Sequence, residues 1–76
     1  MDFIESKHWE NKKLYRKDIR EEHLEYALLH SSIYRDRQWD DAYNALARIP
    51  PMRRMLKVVY KRKEGKIIVI TAYWLD

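Results

Sequence analysis

The clearest pattern of apolar and polar positions lies near the end of the chain. In the run Met55–Lys61, Leu56, Val58 and Tyr60 alternate with Lys57, Val59 and Lys61, so one strand face is apolar and the other mixed. The run Lys66–Trp74 is apolar on both faces. Strict alternation puts Ile68, Ile70, Ala72 and Trp74 on one side and Ile67, Val69, Thr71 and Tyr73 on the other, the pattern of a strand covered above and below. Between the runs stands Gly65, the chain's single glycine. A residue free to adopt positive φ at the end of a short connection marks a hairpin.

Upstream the spacing changes to that of helices. Asp18-Ile19-Arg20-Glu21 has the form of a capping box, and Leu24, Ala27 and Leu28 recur behind it, predicting a helix from Ile19 to His30. Ser6 is placed to cap a shorter helix running through Trp9 to about Tyr15, and Phe3-Ile4 suggests a brief first strand. The stretch Trp39–Ile49 fits two periods. Trp39, Tyr43, Leu46 and Ala47 follow helical spacing, whereas Tyr43, Ala45, Ala47 and Ile49 alternate, and Pro50-Pro51 enforces a stop after either. No repeat, low-complexity tract or long linker divides the chain, so residues 1–76 read as a single α+β domain.

Composition narrows the functional classes. Without cysteine, disulfides, thiolate nucleophiles and zinc–thiolate sites are excluded. The longest apolar run, Ile67–Tyr73, is far short of the ~18 residues of a membrane span. The acidic opening Met1-Asp2-Phe3-Ile4-Glu5 does not resemble a signal peptide. These features lead us to expect a cytoplasmic protein that does not enter a membrane. A single glycine also rules out the glycine-rich phosphate loops, and the spacings of His8, His23 and His30 match no metal motif, so neither cofactor nor metal is expected.

Charge is uneven along the chain. Residues 1–51 carry nine Lys/Arg against ten Asp/Glu, and residues 52–76 carry seven against two. A basic cluster on one structural unit suits a polyanion such as RNA, although lysines also keep an apolar hairpin from aggregating. Arg53, Arg54 and Lys57 form the densest group, and the planar fork of arginine matches phosphate oxygens. Lys61, Arg62, Lys63 and Lys66 read as a solvated hairpin tip. Tyr60, Tyr73 and Trp74 are candidates for stacking on unpaired bases, set against the plainer role of filling a small core. His8, at a strand-to-helix junction, is the candidate proton carrier, and His23 and His30 read as structural.

Two stretches carry a family resemblance. Ser6-Lys7-His8-Trp9 followed by Lys17–Leu28 resembles the opening of a RelE-like domain family of unknown function. Ala45-Leu46-Ala47-Arg48, Arg54-Met55-Leu56-Lys57-Val58-Val59-Tyr60 and Ile67–Ala72 are similar to its closing strands and to those of BrnT-type toxins. The resemblance spans roughly residues 3–74. It implies a small antiparallel sheet in the order β-α-α-β-β-β, two N-terminal helices on one face, and a strand over residues 41–49. It further implies a toxin-like, metal-independent endoribonuclease of the RelE/ParE superfamily, acting on RNA that is free or ribosome-associated and silenced by an antitoxin protein. On that implication His8, Arg54, Lys57 and Tyr60 form the catalytic set, and Arg53, Arg54, Lys57 and Tyr73 hold nucleic acid. Arg53-Arg54 replaces the Gly-Arg pair common in BrnT-like chains, and the C-terminal helix of some relatives has no counterpart. The alternative function is a non-catalytic module that binds nucleic acid or protein through the same basic surface.

Overall fold

The computed structural model describes residues 3–35 and 41–75. The chain is α+β. Strand β1 (Ile4–Glu5) leads into helix α1 (Lys7–Lys12), which tightens into a 3₁₀ turn over Lys13–Tyr15; helix α2 (Glu21–His30) follows. Strands β2 (Ser32–Arg35), β3 (Ala42–Ile49), β4 (Arg54–Lys63) and β5 (Lys66–Trp74) complete it. The five strands form one sheet in the order β1-β5-β4-β3-β2, antiparallel except where β1 runs parallel to β5. This corrects the expected β-α-α-β-β-β antiparallel order. The additional strand β2 offers only Ile33 and Tyr34 as apolar residues, too few for a period to show.

The ambiguous segment is a strand from Ala42 to Ile49, while Trp39 lies outside the described residues. Its alternation is real: Ala45, Ala47 and Ile49 are buried against the helices, where Trp9 of α1 and Leu24 and Ala27 of α2 meet Leu56, Val58, Tyr60, Val69 and Ala72 of the hairpin. Both helices therefore cover the same side of the sheet. A cis peptide bond joins Pro50 to Pro51 in the turn that follows β3.

Local chemistry sets the boundaries. The Ser6 hydroxyl accepts from the Trp9 amide and caps α1 as its position suggests. The start of α2 differs from expectation, with Arg20 rather than Asp18 at the cap, and the Arg20 amide donates to His23 Nδ1 at 2.9 Å. The reason is tertiary. Ile19 is buried in the core and Asp18 pairs with Arg54 on β4, so both are held outside the helix. At the hairpin tip Glu64 and Gly65 both have positive φ, 53° and 77°, the backbone of a two-residue type I′ turn between the paired Lys63 and Lys66.

One departure from strict alternation matters for the site. Opposite β4 the register shifts, Val59 facing Thr71 and Tyr60 facing Val69, so Ile70 is an extra residue bulged from β5. Beyond it the sides exchange relative to a regular ladder. Ala72 and Trp74 join Val69 on the helix side, and Thr71 and Tyr73 turn to the other.

Candidate nucleic-acid interface

Among the described residues no helix packs on the second face of the sheet. Its outward positions, read from the register, include Asn44, Leu46 and Arg48 on β3, Met55, Lys57, Lys61 and Lys63 on β4, and Thr71 and Tyr73 on β5. No Asp or Glu occupies an outward position of β2 to β5. Val59, Ile70 and Ala42 form a small buried apolar cluster on this side.

Two cations converge on one ring there. Lys57 lies directly across the ladder from Tyr73, its Nζ 5.6 Å from the ring centroid. Arg16, in the turn after the 3₁₀ segment, brings its guanidinium carbon to 5.7 Å from the same centroid. One nitrogen of Arg16 donates to Thr71 Oγ1 and to the Ala72 carbonyl, both at 3.0 Å, which fixes the guanidinium along the outer edge of β5. Lysine and arginine in this arrangement offer N–H donors beside an aromatic face, with the Tyr73 hydroxyl as a further donor or acceptor.

The edge of β5 is sealed by the same segment. The Ser6 amide donates to the Val69 carbonyl at 2.9 Å and its hydroxyl to the Ile70 carbonyl at 3.2 Å, continuing the pairing that β1 begins. Lys13 binds Glu5 at 2.8 Å, and this hydrogen bond, helped by the charges of Glu5, Glu10 and Glu21, raises the Lys13 pKa against the lowering effect of burial. The pair ties the 3₁₀ turn to β1 and so supports the placement of Arg16.

The residues singled out from sequence fall into separate places. Lys57 and Tyr73 meet on the helix-free face. Arg54 lies on the helix side, its guanidinium carbon 4.4 Å from the centroid of Trp74 and its NH1 3.5 Å from Asp18. Tyr60 is buried on that side and stacked on Tyr43 with centroids 5.7 Å apart. Desolvation pushes its phenol pKa up, with a smaller upward contribution from Tyr43, against the lowering effect of Arg62. Arg53 is exposed in the β3–β4 turn with φ 61°, its carbonyl accepting from Arg48. His8 is exposed on α1, beside the buried Trp9. His23 does structural work, capping α2 and meeting the Trp74 ring edge-on at 5.6 Å.

Nothing local distinguishes Arg16 within Lys12-Lys13-Leu14-Tyr15-Arg16-Lys17. Only the docking of α1 against β5 brings it to Tyr73. Among the described residues no cluster of His, Asp or Glu could hold a metal ion, and no helix is long and apolar enough to cross a membrane. Compared with known proteins, the chain matches no family model, no curated protein and no solved structure.

Proposed function

We propose that the chain binds single-stranded RNA on the helix-free face of its sheet. Arg16 and Lys57 hold backbone phosphates, and an unpaired base lies against Tyr73. The observation that carries this reading is the convergence of two cations on one half-exposed ring, on a face without acidic strand positions. A sheet presenting an aromatic ring and cations suits splayed bases better than a duplex, whose bases are stacked away. Fluorescence anisotropy with a labelled single-stranded octanucleotide, beside a duplex and polyglutamate, tests it. Binding that prefers the single strand and weakens in Lys57→Ala and Tyr73→Ala is expected. Equal binding by all three proteins, or none at low salt, overturns it.

A second reading adds cleavage, and it is favoured by the Tyr73 hydroxyl lying in a cationic setting. In metal-independent scission a base removes the ribose 2′-OH proton, and the freed oxygen attacks the adjacent phosphorus. The P–O5′ bond breaks, the 5′-oxygen takes a proton, and a 2′,3′-cyclic phosphate remains. Arg16 and Lys57 would offset the phosphorane charge, and Tyr73 would carry a proton, with His8 the other candidate carrier. Arg54 and Tyr60, on the helix side, would act through the packing of the sheet. The likeness to RelE and BrnT extends this reading to a cytoplasmic toxin whose RNA face an antitoxin covers. A cyclic-phosphate product lost in Tyr73→Phe supports cleavage. Intact RNA, with ribosomes present or absent, leaves binding alone.

A further inference from the structure

The hairpin tip combines two features that work against stability. Lys63 and Lys66 face each other across the ladder, and like charges opposed in this way repel. Glu64, between them, takes φ 53°, a left-handed conformation unfavourable for a side chain of its kind, in a turn where asparagine or aspartate is preferred. Lys61 and Arg62 add two further cations, and among the described residues Glu64 and Asp41 bring negative charge to this end, Asp41 with Lys61, Arg62, Lys63 and Ile68 around a shallow depression. Protection of an exposed edge does not account for the pair, because β4 and β5 are both inner strands of the sheet.

The register also gives these charges a direction. Lys57, Lys61 and Lys63 occupy outward positions of β4, on the same face as Tyr73, and Lys66 stands beside Lys63. Lys63 lies six residues along the strand from Lys57, a span of about 20 Å at the usual rise per residue. We infer that the single-strand site extends along β4, from Arg16, Lys57 and Tyr73 to the lysine pair at the tip. The tip holds the backbone of RNA whose base lies against Tyr73. The inference rests on the RNA-binding reading above and adds its extent. The occupant is a single strand of about four nucleotides, at the low end for single-strand grooves.

The test compares the full chain with Lys63→Ala/Lys66→Ala, using a dinucleotide and an octanucleotide of uridine across a salt series. The dinucleotide fills only the Tyr73 end, so its affinity is expected to be unchanged by the double substitution. The octanucleotide should lose two phosphate contacts, lowering the slope of log affinity against log salt by about 1.4. If the two lines converge at 1 M salt, that is roughly 25-fold weaker binding at 0.1 M. Thermal stability should hold or rise, since a repulsive pair is removed. Unchanged octanucleotide affinity and slope, or equal weakening of both probes, overturns the extended track. Tighter binding of polyglutamate than of octanucleotide at the tip overturns it in favour of an acidic protein. A wild-type chain that binds neither oligonucleotide refutes the RNA-binding reading itself.

Discussion

Arg54 and Lys57 stand three residues apart on β4 and so point to opposite sides of the sheet, which makes alanine at each position a test of the faces. Removing the Arg54 side chain breaks a close contact with Trp74 at 4.4 Å and a partly exposed ion pair with Asp18 at 3.5 Å. A cation over an aromatic face contributes about 0.5–2 kcal/mol and an exposed pair about 0.2–1 kcal/mol. Arg54→Ala should therefore cost about 1–2 kcal/mol, a fall in Tm of roughly 5–15 °C for a domain of this size. Among the described residues Lys57 makes a longer contact, with Tyr73 at 5.6 Å, so Lys57→Ala should stay within about 0.5 kcal/mol of the parent. Its effect should appear in binding. One lost phosphate contact lowers the salt slope by about 0.7, close to fivefold in affinity at 0.1 M salt if the lines meet at 1 M. Circular dichroism melts and anisotropy titrations on the same samples separate the two effects. The reasoning is refuted if Arg54→Ala, still folded, weakens RNA binding more than Lys57→Ala does, or if Lys57→Ala lowers the Tm by as much as Arg54→Ala.

The turn and the buried phenol give two further expectations. Gly65 has φ 77° and open space around it, so Gly65→Ala should cost about 1 kcal/mol through backbone strain alone, while Glu64→Asn should raise stability by a few tenths to about 1 kcal/mol; chemical denaturation measures both. Burial raises the Tyr60 pKa above its ordinary value of 10.0, so the folded chain keeps a proton that the unfolded chain gives up. That contribution to stability is fully present below pH 10 and is lost as pH rises through the folded pKa. An ultraviolet phenolate titration should show a late step, and Tyr60→Phe should abolish it.

Much of the fold was legible because its signals are local. Ser6 caps α1, Leu24 and Ala27 mark the buried side of α2, and Gly65 closes the hairpin that Leu56, Val58 and Tyr60 begin. The sides of β5 were not, because the alternation carries no sign of the extra residue at Ile70, and counting by twos past it reverses Tyr73 and Trp74. The start of α2 moved for a similar reason, since burial of Ile19 and the Asp18–Arg54 pair outweigh a local capping pattern. For the site, nearness in sequence misled. Arg53, Arg54 and Lys57 cluster along the chain, but a strand's alternation separates Arg54 from Lys57. The cation that accompanies Lys57 is Arg16, more than fifty residues from Tyr73 and brought there by tertiary packing alone.

The sealed border of β5 also decides how copies of this chain could associate through their sheets. Strand β1, the Ser6 amide and hydroxyl, and the Arg16 guanidinium occupy that border from Ile68 to Ala72. The sheet ends on β2 at one border and on β1 at the other, and β1 is only two residues long. A long open border is a template for another strand, whereas a two-residue edge offers little backbone to pair with. Pairing of β2 with β2 would use up the longer open border of both molecules. The short segment from Ser6 to Arg16, besides carrying one half of the cation pair at Tyr73, thus shields the β5 backbone beyond β1 from pairing with another copy.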